Sequence, residues 1–262
     1  MSIKKNFVFN TLLSISNVIF PLVTAPYIAR VLDPESIGLA NFANTYAGYF
    51  ALFALLGIPT YGVRAVAGVR DDKEKTKEVV SSLFSLSVLS TLIVSIIFLI
   101  SIILIDSLES DYIIFLIAGI AIYLAPIKIN WYYQGIEDFG FITLRSIAIR
   151  TLSLLAIFLL IKDRDDLLFY VLINVLGGAL GDIWNYLRLL KSGIRVRFSL
   201  QGIKEHLNPV LTLFVSSIAI SIYTVLDTLM LGFISSYSEV GYYSNAMYMS
   251  RAILALVTSL SV

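Results

Sequence analysis

An all-α, polytopic transmembrane bundle is the fold class this sequence predicts, and three observations predict it. Residues 82–105 are twenty-four in a row without a charge, and about 20 helical residues suffice to cross a hydrocarbon core. Comparable apolar runs recur from one end of the chain to the other. Hydrophobic residues make up 58% of the sequence and charged residues only 14%, on opposite sides of what soluble domains carry. Backbone groups in lipid find no water to bond, so runs of this length must be helical.

Eight helices follow, taken in order. Helix one, 7–32, comes after Lys4 and Lys5; its apolar run is too long for a signal-peptide core, and further spans follow it. It holds Pro21 and Pro26, and helix two, 38–62, holds Gly57-Ile-Pro59, each a packing bend or a hinge. Helices three to five are 82–105, 112–134 and 144–161. Helix six, 167–188, carries Gly177 and Gly181, a small pair that permits close helix contact. Helix seven, 209–233, has Pro209 where a helix start tolerates it. Helix eight is 240–262. The domain organisation expected is a six-helix bundle (1–188), a cytoplasmic linker along the membrane (189–208), and the first two helices of a second bundle (209–262).

Charge sets the orientation. Lys4, Lys5, Arg64, Arg70, Lys73, Lys75, Lys77, Arg145, Arg150, Arg188, Lys191, Arg195, Arg197 and Lys204, fourteen in all, fall on one side. Lys162 and Arg164 stand on the other, with Arg30 near a helix end. The positive-inside rule puts the fourteen, and the N-terminus, in the cytoplasm. The opposite face has only short turns, near 106–111, 162–166 and 235–239.

Charged side chains at bilayer depth usually face a bundle interior or an aqueous cavity. Arg30, Lys128, Asp182, Asp227 and Arg251 qualify. Arg30 and Lys128 lie near helix ends, where snorkelling is the plainer reading, and Asp182 reads most simply as interfacial. Asp227 is mid-helix and too short to snorkel, with Arg251 as its natural counter-charge. The acidic and basic run at 71–78 reads as a solvated cytoplasmic segment whose lysines also suit anionic headgroups.

Several chemistries are excluded or disfavoured. The chain has no cysteine, hence no disulfide or thiolate site, and one histidine, His206, too few for a metal cluster. A net charge of +1 gives no field for nucleic acid. No nucleophile–base cluster stands out, so no enzyme activity and no cofactor are expected. One internal echo is present. Asp33-Pro-Glu-Ser-Ile-Gly38 and Ser236-Tyr-Ser-Glu-Val-Gly241 are each a polar turn, a β-branched residue and a glycine before a helix. Both precede spans of the same direction, as in a parallel repeat about the membrane normal. The second bundle would then stop after two helices, and the sequence looks cut short.

These stretches resemble the polysaccharide-transporter branch, the O-antigen flippases, of the multidrug/oligosaccharidyl-lipid/polysaccharide exporter superfamily. The matching residues are Pro26-Tyr-Ile-Ala-Arg30, Ile37-Gly38-Leu, Gly57-Ile-Pro-Thr-Tyr-Gly-Val-Arg64, Trp131-Tyr-Tyr-Gln134-Gly-Ile-Glu-Asp-Phe139, Ile222-Tyr-Thr-Val-Leu-Asp227, Met230-Leu-Gly232 and Val240-Gly-Tyr-Tyr243. The resemblance covers the chain in order and implies movement of an undecaprenyl-pyrophosphate-linked oligosaccharide across the cytoplasmic membrane by alternating access. It implies membrane lipids as surroundings, a coupling ion (H+ or Na+), and polymerase and glycosyltransferase partners. Arg30, Arg64, Lys128 and Arg251 would meet the anionic headgroup, and Asp227 would hold an arginine or titrate. Trp131 and Gln134 would contact sugars, unless the aromatics there form an interfacial belt. Glu137 would pair with Arg145. A cation-coupled drug antiporter of the same superfamily and an inactive truncated membrane protein are the alternatives.

Overall fold

The computed structural model describes residues 3–259, and the side chains of 5–199 and 202–250. Most of those residues are helical, with no strand among them. Eleven α-helices follow one another: α1 (Ile3–Val31), α2 (Pro34–Leu55), α3 (Ile58–Val69), α4 (Lys73–Leu104), α5 (Asp106–Glu109), α6 (Tyr112–Tyr123), α7 (Asn130–Gly135), α8 (Phe139–Leu160), α9 (Leu167–Lys191), α10 (Leu200–Ile234) and α11 (Tyr237–Ser259). Six stretches are long and apolar enough to cross a membrane: Lys5–Val31, Pro34–Val69, Lys73–Leu104, Phe139–Leu160, Arg164–Lys191 and Gly202–Ile234. The chain is a multi-pass membrane protein.

The differences from the eight expected spans have local causes. Expected helix two divides at Leu56, whose φ of 51° breaks the ladder beside Gly57, and α3 carries on to Val69. Expected helix four stops at Tyr123, because Pro126 removes a donor and disfavours helix at Ala125. A short 3-10 turn (Ala125–Ile127) and α7 replace its second half. Helix starts move outward wherever a polar side chain caps them. Asp72 accepts from the Glu74 and Lys75 amides, so α4 begins nine residues before 82. Asp138 accepts from the Phe141 amide, so α8 begins at Phe139 rather than 144. Ser199 accepts from the Gly202 amide, so α10 begins at Leu200 and Pro209 lies inside it.

The helices form two ends. At one, called here the basic end, lie the starts of α1, α4, α8 and α10 and the ends of α3 and α9. The turn end carries the short connections into α2, α6, α9 and α11. α2 is central, packing on α4, α6, α10 and most extensively α11, while α1 packs on α8, and α8 on α9. One apolar core gathers Phe42, Phe98, Phe115 and Ile122. A second, toward the basic end, gathers Ile58, Leu83, Trp131, Tyr133 and Leu189. The connection before α10 is stitched to α4, since the Arg197 and Ser199 amides donate to the Ser81 and Ser85 hydroxyls at 3.1 and 2.9 Å.

Candidate functional site

Tyr170, Asn174, Gly178 and Asp182 recur every four residues on α9 and so share one helix face. That face is the common wall of two cavities. The first, about 570 Å³, lies between α2, α6, α9, α10 and α11, with Asn41, Asn44, Thr45, Tyr49 and Lys128 on its lining. The second, about 520 Å³, lies between α1, α8 and α9, with Asn17, Thr24, Asn130, Arg145, Ser146 and Arg150 on its lining. Tyr49 donates to the Ser221 carbonyl at 3.1 Å and Tyr248 to Asn41 Oδ1 at 3.3 Å, tying α10 and α11 to the first cavity's α2 wall.

Arg145 is the most constrained charge. It is 7% exposed and donates to the Gly181 carbonyl at 2.6 Å, Asn130 Oδ1 at 3.2 Å and Ser146 Oγ at 3.1 Å. Gly181 makes this approach feasible, as a methyl group there would sit 3.1 Å from the guanidinium. Asn130 is held in turn by Asn185 Nδ2 at 2.8 Å. The Arg145 Nε is buried without an acceptor. Asp182 lies within the fields of Lys128 and Arg145, yet forms no direct ion pair with either. Arg150, half-buried, forms no hydrogen bond or ion pair among the described residues. Three cations thus face one carboxylate. Counting about 1.5 Å of rise per residue from the helix ends at the basic side, Arg145 and Arg150 lie about 9 and 17 Å deep and Asp182 about 14 Å.

Of the expected site residues whose side chains are described, Lys128 lines these cavities. Arg30 is exposed in the last turn of α1 and Arg64 exposed on α3, and neither lines them. Asp227 accepts from the Tyr243 hydroxyl across α10 and α11, and from the Thr228 amide at 2.7 Å. Arg251, its expected counter-charge, lies outside the described side chains. Trp131 is 3% exposed, its ring filling the space that Gly62 leaves open, so it is neither an interfacial belt nor a cavity surface. Gln134, half-buried, lines neither cavity.

Glu137 does not pair with Arg145. Its partner is Arg70 at 2.5 Å, and the neighbouring Asp138 takes Arg188 at 2.9 Å, with that guanidinium 3.8 Å from the Phe141 ring centre. Arg70 holds the Glu137 carboxyl below the usual glutamate range. The Trp131–Phe139 stretch is therefore a hub that staples α3 and α9 at the basic end. Counting Arg145 and Arg150 among the cytoplasmic charges follows from an expected helix start at 144; the Asp138 cap starts α8 at Phe139, which sets both five residues deeper into the span.

Comparisons with known proteins match the whole chain to one family. A family model described as "Polysaccharide biosynthesis protein" matches residues 3–262. A "Putative O-antigen transporter" of Escherichia coli (strain K12) is 26% identical over 266 residues, covering 100% of this chain and 63% of the relative. A protein of the same description from Shigella dysenteriae is 24% identical over 234 residues, 88% of this chain and 58% of the relative. The chain thus spans about three fifths of the length of these relatives. No solved structure matches it.

Proposed function

The chain belongs to the polysaccharide biosynthesis protein family, and from that premise we propose that it serves as a flippase for a lipid-linked oligosaccharide, with the α9 cavities as its substrate path. The observation that carries this reading is the excess of cations at membrane depth: Lys128, Arg145 and Arg150 against Asp182. Uncompensated charge there is costly and persists where a ligand or water meets it. A pyrophosphate is the matching ligand, since guanidinium groups bind phosphate oxygens in pairs.

The two cavities divide the work. The second, with both arginines and Ser146 and Ser153, takes the anionic headgroup beside α1 and α8. The first, with Asn41, Asn44, Thr45 and Tyr49, offers amides and hydroxyls suited to sugar hydroxyls. The basic end faces the cytoplasm, because twelve of the fourteen basic residues remain there once Arg145 and Arg150 move into the span. A coupling ion (H+ or Na+) would act at Asp182 or Asp227, carboxylates far from the ends of their helices. A drug antiporter would need an acidic cavity, which three cations to one acid disfavours.

The test is genetic. Cells lacking the gene should lose surface polysaccharide and accumulate the lipid-linked oligosaccharide in the inner leaflet. The native gene should restore export. Normal surface polysaccharide in the deletion strain would overturn the assignment.

A further inference from the structure

A third cavity, about 670 Å³, lies at the basic end, apart from the proposed substrate path. Its walls are the first turns of α4, the segment before α10, and the first turns of α10. They are pinned together. The Arg197 amide donates to the Ser81 hydroxyl at 3.1 Å, and Gly202 lets α10 close on α4, since a methyl group there would collide with the Ser82 hydroxyl. Ser82 opens the charge-free run 82–105, so the cavity spans the boundary between lipid headgroups and hydrocarbon.

The charges around it sort into two groups. Lys75 pairs with Asp72 and Lys77 with Glu74, so the lysines that charge pattern alone would assign to anionic headgroups are already engaged. Arg197, Glu78 and Glu205 line the same cavity, yet none of these side chains forms an ion pair or hydrogen bond among the described residues. Two hydroxyls keep a hydrogen to donate. Ser81 Oγ accepts from the Arg197 amide and Ser199 Oγ from the Gly202 amide, and neither donates to a described residue.

We infer that this cavity binds the headgroup of an ethanolamine phospholipid from the leaflet at the basic end. A guanidinium and two hydroxyls are donors for a phosphate, and two carboxylates are acceptors for an ammonium with three N–H groups. A headgroup of net negative charge would meet two uncompensated carboxylates, and a choline would offer them no N–H. Phe198, exposed beside Arg197, gives the acyl chains an apolar contact. The inference needs the membrane but not the transport reading.

The experiment places the purified protein in nanodiscs of equal parts phosphatidylethanolamine, phosphatidylcholine and phosphatidylglycerol with identical acyl chains. Lipids still held after release into detergent are counted by native mass spectrometry. The ethanolamine lipid should be retained at least several-fold over the other two. Retention should fall stepwise as N-methyl groups replace the ammonium hydrogens, a comparison that needs no variant. Glu78→Gln with Glu205→Gln should abolish that dependence, and Arg197→Gln should cut retention several-fold. Arg70→Ala, on the same rim but outside the cavity, should change neither. Indifference to N-methylation, a preference for phosphatidylglycerol, or a parental profile in the glutamine variants at parental melting temperature overturns the site. No transport enters the readout, so a protein that retains the lipid and exports nothing upholds the site and refutes only the flippase reading.

Discussion

The charges at the basic rim and those inside the membrane are arranged on opposite principles. At the rim Arg70 pairs with Glu137, Arg188 with Asp138, Lys75 with Asp72 and Lys77 with Glu74. Inside, Arg145 donates to a carbonyl, an amide oxygen and a hydroxyl rather than to an acid, and Arg150 and Asp182 have no direct ionic partner among the described residues. Ion pairs are cheap where water is near and worth little. Charges at depth are costly, and leaving them unpaired is the costlier choice. Two of the rim pairs, Arg70–Glu137 and Arg188–Asp138, join helices, whereas on the proposed reading the interior charges are left for a ligand.

The most severe way to break this contrast is Arg145→Ala with Arg150→Ala. Hydrogen bonds to charged groups contribute roughly 1.5–3 kcal/mol each, so export should fall by roughly a hundred-fold or more, read as surface polysaccharide at equal membrane abundance. Arg145→Lys keeps the charge but not the fork that reaches Gly181 and Asn130 together, and should recover only part of it. Asp182→Asn raises the net positive charge of the cavities. It should hold the anionic substrate more tightly and slow turnover several-fold, a change visible as export rate falling while substrate retention rises.

Rim substitutions should do less. Arg188→Ala removes one ion pair and the stacking on Phe141; with the side chain 42% exposed, the loss is about 1 kcal/mol of stability, measured as a lower melting temperature in detergent with export retained. Glu137→Gln is the mildest. The folded carboxyl titrates below its ordinary value because of Arg70, so its contribution is present above the ordinary glutamate range and lost as pH falls through the lowered folded value. At pH 7 export should be unchanged, and the melting temperature of the variant should depend less on pH below about 5 than that of the parent.

Much of this was legible in the residues, and what was not has physical reasons. Apolar length located the membrane spans, and Gly57-Ile-Pro59 marked the α2–α3 break, because both are local properties. Apolarity alone hid the break at Pro126, where Leu124-Ala-Pro-Ile is as greasy as the helix before it. Arg145 and Arg150 read as charges of the cytoplasmic side because the expected helix start at 144 lies five residues after the one that the Asp138 cap sets, at Phe139. The partner of Glu137 stands 67 residues away, a distance no periodicity reports. Trp131 looked like a sugar platform by residue type, but Gly62 makes room for it in the core. The echo at Gly38 and Gly241 was visible as pattern; only the fold shows the two in contact.

The central claim is that the interior cations, and not the rim cations, hold the anionic headgroup. Its most direct test is retention of undecaprenyl pyrophosphate by the purified protein in lipid nanodiscs, read by native mass spectrometry. The account predicts retention by the native protein and by Arg70→Ala, and at least ten-fold weaker retention by Arg145→Ala/Arg150→Ala. Equal retention by the double variant, or loss in Arg70→Ala alone, would contradict it.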